Sequence, residues 1–255
     1  MSLSHSPAIV TDGLVFCLDA ANKRSYPGTG TTWTDLKGVN NGTLTNGPTF
    51  NSEYLGKIIF DATNEKVVIP YTENLGPSNN RTYANIYESL IDNFSLEFVC
   101  EPYDTIEIMS EGNTGYPAVF APQRHLFNAG IYSGDNASTH AAALVSIGTN
   151  GLQIITHAGN YMPCYLSYSA TLSSVNHFVV TFTSSQPSLY LNGLLVRSKP
   201  SIANRTLGFI SYEIGYGGST YPSANVDLYA FKAYSKPLTA DEIRQNYEAT
   251  VGRYT

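Results

Sequence analysis

The final third of the sequence contains two apolar runs that are separated by the single step Asn192-Gly193. Asn-Gly in a two-residue loop is the strongest short-range signal for a β-hairpin, because a type I′ turn needs positive φ at both central residues. Such a loop places Leu191 opposite Leu194 and Leu189 opposite Val196. Since side chains alternate along a strand, these four residues share one face. The segment therefore predicts an antiparallel sheet that buries this face in a core.

A helix start follows the last predicted strand. Thr239 is the predicted N-cap, and Glu242 three residues later completes a capping box. Leu238 before the cap can pack on Ile243 as a hydrophobic staple. Ile243 and Tyr247 are four residues apart and define the buried stripe of the helix. Many strands followed by one short capped helix predict an all-β, two-sheet antiparallel β-sandwich with a C-terminal helix.

The composition agrees with one large β domain. Charged residues make up only 13% of the 255 residues, while Gly occurs 21 times, Tyr 19 times and Pro 13 times. Such a composition is typical of a sandwich with many strands and tight turns. No Pro-rich or Ser-rich linker divides the chain, so we expect one domain over residues 13–255, preceded by an N-terminal arm over residues 1–12.

The sequence also argues against several classes of protein. The formal net charge is −6, whereas a nucleic-acid-binding surface needs clustered Lys and Arg. No stretch approaches the length of a transmembrane helix, so membrane insertion is not expected. The N-terminus has no basic segment followed by an apolar core, which predicts synthesis in the cytoplasm without a signal peptide. The three cysteines, Cys17, Cys100 and Cys164, predict buried free thiols and no disulfide framework.

Several blocks of the chain, taken in order, carry a resemblance that covers nearly all of it. They are GLVFCLDA, GKIIFDATNEKVVIP, FSLEFVCEP, HFVVTFTSSQPSLYLNGLLV and NVDLYAFKAYSKPLTADEIRQNY. Together they resemble the concanavalin A-like lectin/glucanase superfamily, and within it the laminin-G-like jelly-roll module. The opening block is similar to modules of tailed-phage virion proteins, including those of cyanobacterial viruses. The resemblance implies a jelly-roll sandwich at the virion surface, as a capsid decoration or tail accessory protein.

Two segments depart from the pattern of this module. Residues 71–93 form an insertion where the module usually passes directly to the next strand, and residues 103–128 form a second irregular stretch. Long loops inside a compact domain are usually functional or contact-making. We therefore expect these segments to contact other virion proteins or further copies of the chain in a homo-oligomer.

The superfamily includes β-glucanases, whose catalytic strand carries Glu-x-Asp-x-Glu or a close variant. Two pairs share the outer spacing, Glu97 with Glu101 and Glu107 with Glu111. The middle position is Val99 in the first pair and a methionine in the second, so the central carboxylate is missing from both. A retaining hydrolase also needs its two carboxylates about 5–5.5 Å apart. The sequence therefore predicts a protein that is not an enzyme, with glycoside hydrolysis as the least favoured alternative.

The resemblance also implies a calcium ion, because laminin-G-like modules often bind one through acidic side chains and backbone carbonyls. Asp61 in IIFDATNE and Asp227 in NVDLYAF match by their position in the pattern. Ca²⁺ takes about 6–8 oxygen ligands, and two carboxylates supply only part of such a set. The alternative for Asp61 is that its side chain stabilises its own turn as an Asx residue.

Tyrosines are concentrated in the segments HAGNYMPCYLSYS and GYGGSTYPS. A Tyr ring can stack on a sugar face while its hydroxyl forms hydrogen bonds, and Tyr is also favoured at protein interfaces. The sequence leaves both readings open: packing or protein contact, and recognition of host-surface glycans by a carbohydrate-binding adhesin. The candidate ligand-binding residues are Tyr161, Tyr165, Tyr216 and Tyr221.

Overall fold

The computed structural model describes residues 7–38, 40–69, 73–75, 81–83, 90–112, 123–127, 140–157, 164–199, 206–208, 213–216 and 222–254. These residues form mainly short strands and end in a single α-helix. In chain order the elements are β1 (Leu14–Asp19), β2 (Thr32–Trp33), β3 (Gly42–Thr45), β4 (Thr49–Asn51), β5 (Lys57–Asp61), β6 (Lys66–Val68), β7 (Glu73–Leu75), β8 (Arg81–Tyr83), β9 (Phe94–Pro102), β10 (His125–Phe127), β11 (His140–Gly148), β12 (Gly151–His157), β13 (Cys164–Ser169), β14 (Asn176–Thr183), β15 (Gln186–Leu191), β16 (Leu194–Ser198), β17 (Thr206–Gly208), β18 (Glu213–Ile214), β19 (Asn225–Tyr234) and α1 (Ala240–Thr250).

The strands form two large sheets. The first sheet has the order β16-β15-β14-β9-β19-β5-β4, and β1 pairs with the C-terminal half of β19. The second sheet has the order β13-β12-β11-β10-β18-β6-β3-β2, with β17 added in parallel beside β11. Between the other named strands of the two sheets, every pairing that the structure describes is antiparallel. The predicted fold class, an all-β two-sheet sandwich with one short C-terminal helix, is confirmed.

Aromatic side chains from both sheets fill the space between them. Phe98 of β9 stacks on Phe178 of the neighbouring β14, with ring centroids 5.2 Å apart, and meets Phe127 of the second sheet edge-on at 5.4 Å. Phe94 stacks on Phe182 at 4.5 Å in the same way. Stacked and edge-on rings are the preferred arrangements of buried aromatic pairs. The alternation of side chains along β9 therefore places Phe94 and Phe98 in the core between the sheets.

The outer face of the first sheet carries a second, smaller hydrophobic cluster beneath α1. This cluster joins the N-terminal segment, the outer face of the sheet and the helix, and it consists of Val10, Leu14, Cys17, Val179, Tyr234, Leu238 and Ile243. The backbone N–H of Val10 donates to Asn246 Oδ1 of α1 at 2.7 Å, and Gln245 Nε2 donates to the carbonyl of Ala8 at 2.7 Å. The described part of the predicted N-terminal arm is thus packed against the helix.

The helix begins as the sequence predicts. Thr239 is the N-cap, and its hydroxyl oxygen accepts from the Glu242 backbone N–H at 3.3 Å. In return, Glu242 Oε2 accepts from the Thr239 backbone N–H at 2.9 Å, which completes the capping box. Leu238 and Ile243 are both buried in the cluster under the helix. The cap therefore fixes where the helix begins and how it meets the sheet.

The Asn-Gly hairpin forms, but its register differs from the prediction. Asn192 and Gly193 have φ values of 50° and 79°, and Leu191 pairs with Leu194. A bulge between Leu189 and Tyr190 then places Leu189 opposite Arg197, where the sequence predicts Val196. Because β16 is the edge strand of its sheet, Leu194 is 69% exposed and does not reach the core.

The two predicted insertions are described in part. Within residues 71–93, β7 and β8 pair with each other in a small sheet of their own. Within residues 103–128, the backbone follows the second sheet, since the Met109 N–H donates to Gln153 Oε1 at 2.6 Å. Among the described residues, no helix is long and apolar enough to cross a membrane.

We expect Thr239→Ala to lower the free energy of unfolding by about 1 kcal/mol, because it removes the side-chain acceptor of the capping box. Urea titration followed by far-UV circular dichroism measures this loss. Thr239→Ser keeps the acceptor and should stay close to the wild type. Equal stability of the Ala variant and the wild type would contradict a stabilising role for the cap.

Candidate functional site

The two predicted calcium ligands occupy different chemical environments. Asp227 is buried on the outer face of the first sheet, where its Oδ2 lies 2.8 Å from Lys57 Nζ and accepts from the Tyr103 hydroxyl at 2.7 Å. Burial alone would lower the pKa of Lys57, but hydrogen bonds to Asp227 and Glu53 raise it above the usual range. A lysine ammonium therefore occupies the position that a cation would take beside Asp227.

Asp61 forms the turn that the sequence offers as the alternative. Its Oδ1 accepts from the backbone N–H of Thr63 at 3.1 Å and from the Thr63 hydroxyl at 2.6 Å. These hydrogen bonds lower the pKa of Asp61. In the register of β5 and β19, Asp61 pairs with Asn225, two residues from Asp227. Among the described residues, no group of three or more His, Cys, Asp or Glu side chains is placed to hold a metal ion.

The four tyrosine candidates do not form one described site. Tyr165 is a correction: it is 1% exposed, and its hydroxyl donates to the carbonyl of Ser185 at 2.7 Å, so the core holds the whole side chain. Tyr216 is half-buried, and Lys66 Nζ lies 4.5 Å from its ring centroid. Tyr161 and Tyr221 lie outside the described residues.

Glu97, the first carboxylate of the glucanase-like spacing, lies at the centre of a buried polar network on the outer face of the first sheet. Its side chain is 1% exposed. Its Oε1 accepts from Lys232 Nζ at 2.5 Å and lies 3.1 Å from His177 Nε2. Its Oε2 accepts from Asn246 Nδ2 of α1 at 2.6 Å and from the Tyr234 hydroxyl at 3.2 Å. One carboxylate thus joins three adjacent strands of the sheet to the helix.

This network keeps Glu97 ionised. Burial alone would raise the pKa of Glu97, but the Lys232 ammonium and the hydrogen bond from His177 hold it well below its usual range. The pKa of Lys232 is raised in turn, because the attraction of Glu97 outweighs the burial of the ammonium. A carboxylate with both oxygens bound and no access to solvent has a structural role. A general acid, by contrast, must reach its substrate.

Strand register places one further carboxylate of the two glucanase-like pairs, and ion pairs hold another. Glu101, four residues after Glu97, lies opposite Asp227 on β19. Glu111 forms ion pairs with Arg197 at 2.7 Å and with Lys199 at 3.3 Å, and both partners are on or beside the hairpin. The ion pairs of Glu111 therefore tie the irregular stretch 103–112 to the edge strand β16.

A pocket opens beside this network, between the start of β14, the hairpin turn and the end of the helix. Its volume is about 180 Å³. We call it the hairpin–helix pocket. It is lined by aromatic, amide and imidazole side chains together with small aliphatic groups: Val175, Asn176, His177, Asn192, Tyr247, Thr250, Val251 and Tyr254.

The turn residue Asn192 organises one wall of the hairpin–helix pocket. Its Oδ1 accepts from the backbone N–H of His177 at 2.9 Å, and its Nδ2 donates to Asn176 Oδ1 at 2.9 Å. Gly193, next in the turn, lies so close to Tyr247 that an added Cβ would meet the ring at 3.1 Å. Glycine at this position, which also has positive φ, therefore lets the turn pack directly on the helix.

His177 connects the hairpin–helix pocket to the Glu97 network. Its Nε2 is committed to Glu97, while its Nδ1 is buried and has no hydrogen-bond partner among the described residues. The imidazole also packs against the Tyr247 ring, with centroids 5.8 Å apart. An unpaired buried polar atom costs about 1–3 kcal/mol. The sequence does not predict this feature of the site. In the sequence pattern, His177 is only one of the polar residues of a half-buried strand.

Comparison with known proteins gives similarity in structure alone. No protein-family profile and no curated protein matches the chain. Trypanosoma rangeli sialidase in complex with the inhibitor DANA matches with a TM-score of 0.60 and 19% identity, over 99% of this chain and 36% of that chain. The binding domain of botulinum neurotoxin DC, in complex with rat synaptotagmin II, matches with a TM-score of 0.61 and 13% identity, over 94% and 52%.

The receptor-binding domain of botulinum neurotoxin type G matches similarly, with a TM-score of 0.58, 13% identity, and coverage of 93% of this chain and 51% of that chain. The chain thus spans about a third of the sialidase chains and about half of the toxin domains. At such low identity these similarities show the fold alone. They agree with a lectin-like jelly-roll sandwich, and the laminin-G and phage assignments stay predictions.

We expect Lys232→Met to lower the free energy of unfolding by about 3–5 kcal/mol, because it leaves the Glu97 carboxylate buried without its counter-ion. Urea unfolding measures the loss. The double variant Glu97→Gln with Lys232→Met should be more stable than Lys232→Met alone, since no uncompensated charge remains. Arg244→Met, which breaks an exposed pair with Asp241 on the same helix, serves as the control and should change stability little. A Lys232→Met loss no larger than that of the control would contradict this role of the pair.

Proposed function

We propose that this chain is a non-enzymatic surface protein of a tailed-phage particle, either a capsid decoration or a tail accessory protein, built on a lectin-like sandwich. The similarity of the opening block to virion modules supports this placement, and the confirmed sandwich agrees with the fold that the resemblance implies. In this proposal its partners are other virion proteins and further copies of the chain. It is made in the host cytoplasm and ends at the virion surface.

The burial and hydrogen bonding of Glu97 are the observation that supports a non-enzymatic role. The first glucanase-like pair needs this carboxylate free at the surface, whereas both of its oxygens are bound and the side chain is buried beneath α1. Freeing Glu97 would require the helix to leave the sheet and the Lys232 ion pair to break. The network therefore argues against Glu97 as a catalytic carboxylate, which supports the non-enzymatic part of the proposal.

Recognition of host-surface glycans is the second candidate function, and the hairpin–helix pocket is the observation that favours it. Tyrosine rings beside amide and imidazole groups provide both stacking surfaces and hydrogen bonds, which is the usual chemistry of a sugar site. One of the structural neighbours is the receptor-binding domain of botulinum neurotoxin type G, and another is Trypanosoma rangeli sialidase in complex with sialic acid. This chain would then act as an adhesin on the particle.

Mass spectrometry of purified particles of the encoding phage tests the virion placement. We expect peptides of this chain at a fixed copy number relative to the major capsid protein. Many copies would indicate a capsid decoration protein, and a few would indicate a tail part. A lysate of infected cells that contains the chain, together with purified particles that lack it, would overturn the placement.

A glycan array probed with the purified chain, with and without calcium, tests the second candidate. We expect binding to a subset of glycans that does not depend on calcium, because Lys57 already neutralises Asp227. Binding only in the presence of calcium would contradict this expectation and would support Asp61 and Asp227 as calcium ligands. An array without binding under both conditions would remove glycan recognition.

A further inference from the structure

We propose that the hairpin–helix pocket binds a neutral, hydroxyl-bearing sugar unit of monosaccharide size, one of whose hydroxyls donates a hydrogen bond to His177 Nδ1. This inference rests on the glycan recognition proposed above and names its site and the class of sugar.

The acceptor role of Nδ1 follows from the partner of the other ring nitrogen. An ionised carboxylate can only accept hydrogen bonds. Glu97 is held in its ionised form, so His177 Nε2, 3.1 Å from Glu97 Oε1, carries the proton and donates it. An imidazole that carries its single proton on Nε2 keeps a lone pair on Nδ1. A ligand hydroxyl can satisfy this buried, unpaired acceptor.

Access to Nδ1 requires a movement of one side chain. The atom is covered in the structure, and the Tyr247 ring packs on the imidazole with centroids 5.8 Å apart. Tyr247 is only half-buried, so its ring can turn towards solvent and stack on the sugar. Rotamer changes of this kind are common when a protein binds its partner.

The volume of the pocket limits the size of the ligand. Sites for drug-sized ligands measure roughly 300–1,000 Å³, whereas this pocket measures about 180 Å³. One sugar ring fits such a space, and the rest of a longer glycan would extend into solvent. The pocket is therefore suited to the terminal residue of a glycan chain.

The lining residues indicate a neutral sugar. The eight residues that line the pocket include no Lys or Arg, so a sugar carboxylate would find no charged partner there. The side-chain amides of Asn176 and Asn192 each carry two N–H bonds. Asn176 uses one to donate to the carbonyl of Ser174, and Asn192 uses one to donate to Asn176 Oδ1. A second amide N–H therefore remains on each side chain as a donor for a sugar oxygen.

Titration calorimetry with the intact chain tests the proposal directly. The probes are methyl glycosides of neutral hexoses and N-acetylhexosamines, with N-acetylneuraminic acid as the acidic comparison. We expect at least one neutral glycoside to bind and the acidic sugar to bind at least tenfold more weakly. In ¹⁵N-histidine spectra, the bound glycoside should shift the Nδ1 resonance of His177.

Variants then locate the site. His177→Gln keeps a nitrogen near the position of Nε2 for Glu97 and removes the Nδ1 acceptor, and Tyr247→Ala removes the stacking ring. Each should weaken binding at least tenfold. Asn192→Gly keeps the positive-φ turn and removes one amide, together with its hydrogen bonds to the His177 backbone and to Asn176, while every side-chain partner of Glu97 is kept. Tyr103→Phe, at an exposed tyrosine outside the pocket, is the matched control and should bind like the wild type.

The outcomes separate this inference from the proposed function. Loss of binding in the pocket variants with the control unchanged would support the site. Glycan binding that survives Tyr247→Ala and Asn192→Gly, both folded by circular dichroism, would overturn the pocket and leave glycan recognition standing. Preference for the acidic sugar would overturn the neutral class. Absence of binding to every sugar on the array and in calorimetry would overturn the proposed glycan recognition itself.

Discussion

The contact between Glu97 and Lys232 is the interaction on which the outer half of the molecule depends. A carboxylate removed from water is tolerated only when charge and hydrogen bonds replace its hydration. Here the charge and the hydrogen bonds come from His177 of β14, Lys232 of β19 and Asn246 of the helix. All three elements are therefore held in place by their contacts with the Glu97 carboxylate. The hydrophobic cluster beneath α1 adds burial, while the network sets the angle and register at which the helix lies.

The same interaction determines the geometry of the hairpin–helix pocket. Asn246 holds the helix to Glu97, which brings Tyr247 and the residues after it opposite the hairpin turn. His177 is oriented by Glu97 from behind and by the Asn192 side chain at its backbone. A structural polar network and a prospective binding surface therefore share one histidine, and a change in either would be felt by the other.

Short sequence patterns predict the individual elements of this fold better than they predict which elements lie side by side. The Asn-Gly turn and the capping box at Thr239 both follow from short stretches of sequence and are confirmed. The ion pair of Glu97 joins residues 135 positions apart, and no local pattern says which strand lies beside β9. The bulge at Leu189 and the burial of Tyr165 escape prediction for a related reason: a shift of one residue in register moves a side chain to the opposite face.

The central position of β19 has a consequence for how the chain folds. This strand, at residues 225–234, pairs with β9 on one side and with β1 and β5 on the other. The first sheet therefore cannot close until synthesis has passed residue 234. Contacts between residues so distant in sequence are associated with slow folding. Before β19 has been synthesised, one edge of β9 and one edge of β5 lack their partner strand. Unpaired edges of this kind can pair with other chains, so this stage of folding is the one most exposed to self-association.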